Sequence, residues 1–146
     1  MKTFSMTLAV CLMLVAGAAS AKDGVTNPVV KARMDTMQAI RVNTGVLGDM
    51  AGGKTAFDAA AAATAKAALS AAAAEIVARF TENADDPVSE GTPLIWSDFA
   101  GFSGKAEALV AAAAAVDVAS LAGVQAGMGA IGGSCKACHE TYRAKR

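Results

Sequence analysis

Alanine is the residue that most limits what this chain can fold into. It fills 37 of the 146 positions and recurs in runs at 59–63, 71–74 and 111–115. Because alanine has the highest intrinsic helix propensity and adds little side-chain volume, these runs favour closely packed helices. Prolines number only three, aromatic residues make up 5%, and no stretch alternates β-branched with polar residues. The sequence therefore predicts an all-α fold and argues against a β-sandwich, a barrel or a parallel-sheet α/β domain.

Four segments carry the apolar periodicity of helices. The first is predicted to begin at Pro28 and to end before Gly52, since proline suits the first helical position and glycine suits the end. The others are predicted over about 57–80, 93–116 and 120–144, and the longest loop separates the second segment from the third. Four helices of similar length with short connections predict an antiparallel four-helix bundle.

The first 21 residues have the pattern of an export signal. Lys2 gives a short positive start, residues 6–18 are almost continuously apolar, and 19–21 form a small-x-small cleavage site. The apolar stretch is too short to span a membrane comfortably, although an uncleaved N-terminal anchor is the alternative. The sequence therefore predicts a cleaved signal peptide over 1–21. It also predicts one periplasmic domain over 22–146, with no membrane span after cleavage.

The last predicted helix contains the sequence Cys135-Lys136-Ala137-Cys138-His139. Helical spacing places Cys135 and Cys138 on the inward face, one turn apart, with His139 beside them. Two thiols at this spacing reach the two vinyl carbons on one edge of a porphyrin, and the adjacent imidazole reaches the iron. This is the C-x-x-C-H signature of covalent haem attachment. It predicts one covalent haem c with its iron.

Other chemistries fit the composition less well. A structural zinc site would lack a fourth ligand, and a redox-active cysteine pair is expected near a βαβ unit. A disulfide between residues three apart would strain the helix. The 13 basic and 13 acidic residues leave no basic footprint for nucleic acid. A single histidine, with no acidic pair at convergent spacing, predicts that the protein is not an enzyme.

Several segments of the chain resemble the class II c-type cytochromes, typified by cytochrome c′. Residues 133–143 resemble the closing helix of these proteins, which carries the haem motif, and residues 93–98 resemble the start of their third helix. Arg33 followed one turn later by Met37 matches the family's pattern over the distal face of the haem. Glu90 falls where the family places a loop residue near the haem edge. The resemblance implies an exported four-helix bundle with His139 as the proximal iron ligand.

The resemblance implies further roles around the haem. Arg33 is expected to pair with a haem propionate, and Arg143 to lie near the proximal imidazole, with a solvated surface position as the alternative for each. Trp96 is either a contact of the haem edge or the largest residue of the core. Met34 stands where many relatives have a polar residue that touches the propionate, and it is interpreted as a core residue.

Met37 separates the two functions that the resemblance offers. In a low-spin branch of the class, a methionine at this position is the sixth iron ligand, and the protein carries electrons between periplasmic redox partners. In cytochrome c′ itself the distal residue does not bind iron, so the haem is five-coordinate and binds small diatomic gases. Residues 37–58 align with the low-spin branch without a gap, whereas Arg33 is more typical of cytochrome c′. We take one-electron transfer as the first hypothesis. Binding or scavenging of nitric oxide or carbon monoxide is the alternative. Relatives are commonly homodimers through their first two helices.

Overall fold

The computed structural model describes residues 24–145 and folds them into a helical bundle. Its six helices are α1 (Pro28–Ala51), α2 (Ala59–Ala74), α3 (Ile76–Arg79), α4 (Leu94–Ser97), α5 (Phe99–Ala115) and α6 (Leu121–Tyr142). The one-turn helix α3 directly follows α2, and the one-turn helix α4 directly precedes α5. The described chain therefore has four long helical segments, which are called helical arms below. α1 packs against α2 and α6, and α5 packs against the same two helices. The predicted four-helix bundle is confirmed.

Two predicted helices are interrupted. The segment predicted over 57–80 breaks at Glu75, whose N–H bonds to the carbonyl of Ala72 in a tighter turn. The segment predicted over 93–116 breaks at Asp98, where the backbone leaves the helical region. The Asp98 carboxylate then accepts a hydrogen bond from the Gly101 N–H at 3.2 Å. An aspartate that satisfies an N–H of the first turn starts a new helix, and this capping explains the second break.

Alanine provides the close packing that its runs predict. The buried alanines face the centre of the bundle from α2 and α5: Ala62, Ala65, Ala73, Ala106 and Ala113. On α6, Val124, Ile131 and Tyr142 are buried, and Cys135 and Cys138 are half-buried on the same stripe. The inward stripe predicted for the last helix is thus largely confirmed. Leu121, at the first turn of α6, departs from it and is 38% exposed.

The loop between α3 and α4 is fixed to the start of α1. The Asp86 carboxylate accepts hydrogen bonds from the N–H groups of Thr26 (2.8 Å) and Asn27 (2.9 Å), and from the N–H of Val88 (3.0 Å). These bonds to the charged form lower the pKa of Asp86 to about 2. The Asn27 side chain in turn accepts a bond from the N–H of Val29, which caps α1. The loop therefore has a defined position beside α1.

The predicted signal peptide, residues 1–21, lies outside the described residues. Within residues 24–145, no helix is both long enough and apolar enough to cross a membrane.

Candidate haem site

A cavity of about 610 Å³ opens between α1, α5, α6 and the loop that precedes α4. It brings together the residues predicted for the haem site, apart from Trp96. These residues line the cavity: Arg33, Met37, Glu90, Cys135, Cys138, His139 and Arg143. Much of the remaining lining is aliphatic or aromatic and includes Ile40, Phe80, Ile95 and Phe102. The fold thus places thiols, an imidazole and a thioether around one largely apolar cavity.

The two cysteines lie on the α6 side of this cavity. Both are half-buried free thiols. Burial raises the pKa of each thiol, and the nearby Lys105 ammonium partly offsets this effect at Cys138. The cavity therefore holds both sulfurs as neutral thiols one helical turn apart, which is the arrangement that the C-x-x-C-H motif predicts.

His139 lies on the last full turn of α6 and lines the cavity beside the cysteines. Desolvation lowers the pKa of its imidazole, the positive charge of Arg143 lowers it further, and the negative charge of Glu90 opposes both effects. The neutral imidazole is the form that ligates a metal ion. The surroundings of His139 therefore favour the form that iron ligation requires.

Glu90 and Arg143 form an ion pair at the edge of the cavity. The Arg143 Nε donates to Glu90 Oε2 at 2.6 Å, and a terminal guanidinium nitrogen contacts the same oxygen. Two backbone bonds flank this pair, from Thr92 N–H to the Tyr142 carbonyl (3.0 Å) and from Ala144 N–H to the Glu90 carbonyl (2.8 Å). The loop and the end of α6 are thus joined beside the imidazole. The sequence predicts both side chains near the haem but not their pairing.

Arg33 is buried, with 4% of its surface exposed. Its Nε donates to the carbonyl of Arg79 (3.1 Å), one terminal nitrogen donates to the carbonyl of Ala84 (2.8 Å), and the other donates to the carbonyl of Glu82. Burial lowers the pKa of the guanidinium, and the charge of Glu82 partly opposes this shift. The solvated alternative is therefore wrong. Arg33 ties α1 to residues 79–84, and its pairing with a propionate stays a prediction.

Two aromatic rings enclose the Arg33 guanidinium. Its central carbon lies 5.0 Å from the ring centroid of Phe80 and 5.0 Å from that of Trp96. The Trp96 indole N–H also donates to the Phe80 carbonyl at 2.9 Å. Trp96 packs against the core and does not line the cavity. Of the two roles predicted for Trp96, the structure therefore favours packing in the core. Trp96 also makes a cation–π contact with Arg33.

Tyr142 fixes the end of α6 to the start of α5. Its hydroxyl donates to Asp98 Oδ2 at 2.6 Å, and this bond is the largest cause that raises the pKa of Tyr142 to about 12. Gly101 leaves room for the bond, because a Cβ atom there would lie 2.6 Å from the Tyr142 hydroxyl oxygen. The turn that carries the haem motif therefore has a fixed position relative to α5.

Two methionines line the cavity from α1. Met37 is half-buried against the core and occupies the α1 side, as the sequence predicts. Met34, which was interpreted as a core residue, also lines the cavity. Gln38, Arg41 and Lys105 line it as well and were not predicted. Apolar periodicity does not identify these residues, because they are polar. The one signal for Arg41 is its place one helical turn after Met37, on the same side of α1.

Comparison with known proteins shows the family of the chain. Residues 28–143 match the family model described as Cytochrome C'. The chain belongs to the cytochrome c′ family. Proteins of this family bind haem c covalently together with its iron, which confirms the cofactor predicted from the motif.

Individual members of the family are similar over most of the chain. The cytochrome c′ of Cereibacter sphaeroides is 33% identical, over 95% of this chain and 97% of that protein. The cytochrome c-554 of the same organism is 34% identical, over 94% and 95% respectively. One solved structure, the nitric oxide complex of a mutant cytochrome c prime from Alcaligenes xylosoxidans, superposes with a TM-score of 0.72. It is 29% identical and covers 80% of this chain and 94% of its own. The sequence is therefore about as similar to a protein named cytochrome c′ as to one named cytochrome c-554.

The residues around the cavity fit the haem c of the cytochrome c′ family. Two thiols and an imidazole come from consecutive turns of one helix, which is the donor set that covalent attachment and iron ligation need. Apolar side chains form much of the remaining lining, as a porphyrin requires. The guanidinium of Arg33, which also lines the cavity, suits a cofactor that carries carboxylates.

Proposed function

We propose that this cytochrome c′ family protein is a periplasmic one-electron carrier. In this proposal Cys135 and Cys138 would form the thioethers, and His139 and Met37 would both bind the iron. The observation that carries the proposal is the position of Met37, which lines from α1 the same cavity that His139 lines from α6. As a carrier, the protein exchanges electrons with periplasmic redox proteins and transforms no substrate.

The bound haem supplies a ferric–ferrous couple, and the chain sets the properties of that couple. A thioether is a soft, neutral ligand, so ligation by Met37 favours the ferrous state and raises the reduction potential. The apolar lining contributed by residues such as Ile40 and Phe102 excludes water from the site. The Glu90–Arg143 pair places opposite charges together beside His139, which limits the net charge that the imidazole experiences. We propose that the guanidinium of Arg33 also offers its remaining N–H groups to a propionate.

Binding of a diatomic gas is the second candidate function. The nitric oxide complex of the related cytochrome c prime favours it, because that protein shares the fold and the family. In this case the Met37 side chain would cover the distal face without binding iron. Nitric oxide or carbon monoxide would then occupy the sixth position.

Coordination of the iron distinguishes the two functions, and α1 provides a matched pair of variants. If Met37 is a ligand, the ferric protein is low-spin and shows the weak long-wavelength charge-transfer band of a His/Met pair. Met37→Ala then removes this band, converts the iron to high spin and opens it to carbon monoxide. Met34→Ala shortens a methionine that lines the same cavity and should leave the band in place. A high-spin unmodified protein that binds carbon monoxide readily would refute ligation by Met37 and favour the second function.

The proposed location follows from the predicted signal peptide. Export in a bacterial host should yield a mature chain that begins at Lys22, which amino-terminal sequencing of the periplasmic fraction tests. A chain that keeps residues 1–21 and sediments with membranes would instead support the uncleaved anchor.

A further inference from the structure

The charged side chains at the cavity are mostly basic. Arg33, Arg41, Lys105 and Arg143 line it, and Glu90 is the only acidic side chain among the described residues that do so. The whole chain, in contrast, has 13 basic and 13 acidic residues. Positive charge is therefore concentrated at the site where the proposed haem would exchange electrons.

Two of these four cations are already engaged within the protein. Arg33 donates to three backbone carbonyls, and Arg143 is paired with Glu90. Arg41 is exposed, and its Nε donates to the neutral side chain of Gln38, at Oε1, over 2.9 Å. Lys105 is half-buried, and within residues 24–145 neither it nor Arg41 has a carboxylate partner. These two side chains thus carry positive charge, from α1 and α5, that no carboxylate of residues 24–145 neutralises.

The positive surface continues along α6. A shallow depression shares His139 and Arg143 with the cavity and is also lined by Lys136, Glu140 and Lys145. Lys136 is 75% exposed and lies 3.7 Å from Glu140, the one acidic side chain among the described residues that line the depression, against three basic ones. The cavity and the depression therefore form one basic surface around the predicted haem motif.

We propose that Arg41, Lys105 and Lys136, named here the basic rim, are the docking surface for an acidic face of a redox partner protein. This inference rests on the proposed function of one-electron transfer. Clustered charge of one sign around a cleft accelerates encounter with partners of the opposite sign and orients them. A partner held at the rim lies next to the cavity, where the path for an electron is shortest. Because these charges are exposed or half-exposed, salt should screen their effect strongly.

Small inorganic redox complexes of opposite charge test the rim directly. We would measure second-order electron-exchange rates of the haem-loaded protein by stopped flow, with an anionic and a cationic complex, at low and high ionic strength. The double variant Arg41→Gln/Lys105→Gln should react roughly three- to tenfold more slowly with the anionic complex at low salt. It should react faster with the cationic complex, and high salt should remove both differences.

Two further variants exclude simpler explanations. Lys54→Gln removes the same type of charge from a side chain that is 76% exposed and does not line the cavity, and it should change neither rate. Lys105→Arg preserves the charge and should retain the rates of the unmodified protein. If Arg41 and Lys105 bind the haem carboxylates instead, the double variant will shift the midpoint potential and keep its charge selectivity. That result would overturn the proposal.

The outcomes also separate this inference from the function on which it rests. A protein that exchanges electrons with both complexes, at rates that neither the double variant nor salt changes, would refute the basic rim and leave one-electron transfer intact. A protein that exchanges electrons with neither complex would refute the carrier function and the rim together.

Discussion

Replacement of Arg33 by methionine should destabilise the fold far more than the loss of one surface charge. The substitution removes three hydrogen bonds from a charged donor, of which the bond to the Ala84 carbonyl is fully buried and the bonds to the Arg79 and Glu82 carbonyls are partly buried. A hydrogen bond to a charged group contributes about 1.5–3 kcal/mol, although the desolvation of the guanidinium offsets part of that gain. Water can replace the donor at the two partly buried carbonyls but not at the Ala84 carbonyl. The expected loss in the free energy of unfolding is therefore about 3 kcal/mol.

Loss of the cation–π contacts with Phe80 and Trp96 adds a smaller amount to this destabilisation, because methionine retains some of the packing between the two rings. Arg33→Lys keeps the charge, but a lysine side chain cannot reach all three carbonyls. Its free energy of unfolding should therefore fall by less than that of Arg33→Met. Arg79→Met is the matched control. Arg79 is 47% exposed, and its ion pair with Glu75 lies at the surface, so its loss should stay below about 1 kcal/mol.

The assay is urea unfolding of the haem-loaded protein, followed by far-ultraviolet circular dichroism, with the slope of the transition compared between variants. A loss below about 1 kcal/mol for Arg33→Met, equal to that of Arg79→Met, would refute the view that Arg33 fixes the loop. A normal stability combined with a shifted midpoint potential would instead show that Arg33 acts on the haem carboxylates alone.

Three further predictions follow from other parts of the structure. Cys138→Ala should lower the yield of haem-loaded protein, and haem staining of a denaturing gel should weaken, whereas staining at full strength would contradict covalent attachment through this thiol. Because the pKa of Asp86 falls from 3.8 to about 2 on folding, its contribution to stability is complete above about pH 4 and is lost toward pH 2. Asp86→Asn should flatten the pH dependence of the unfolding midpoint in that range, and an unchanged profile would contradict the assignment. Val42 and Val46 are 45% and 36% exposed on α1, so in the predicted homodimer Val46→Glu should give a monomer in sedimentation equilibrium, and a monomeric unmodified protein would contradict the prediction.

Local patterns in the sequence carry the fold and the centre of the site. Alanine propensity and helical spacing act within a few residues of the chain, and they predict the four helical arms and the inward direction of Cys135 and Cys138. The position of Met37 on the cavity follows from the same spacing along α1. Met34 shares that stripe and also lines the cavity, because spacing alone does not distinguish a side chain that faces a cavity from one that packs in the core.

Contacts through the loop could not be predicted in the same way. The partners of Arg33 are backbone carbonyls, which carry no residue identity, and the pairing of Glu90 with Arg143 spans 53 positions of the chain. At Asp98 the backbone can either continue the helix that begins at Leu94 or leave the helical region and cap a new helix. Both conformations are locally acceptable for aspartate, and its bond with the Tyr142 hydroxyl adds a tertiary contact that favours the cap.

These loop contacts bear on the coordination of the iron. Residues 79–92 are bound to α1 through Arg33, to the residues preceding α1 through Asp86, and to the end of α6 through Glu90. The side chains proposed to face the two sides of the haem therefore belong to helices that one loop connects. Because hydrogen bonds of the protein contribute to the spacing between α1 and α6, the reach of the Met37 thioether does not depend on the cofactor alone. Weakening the loop by Arg33→Met should therefore weaken the proposed Met37–iron bond more than the proposed bond from His139, which two thioethers on its own helix would reinforce.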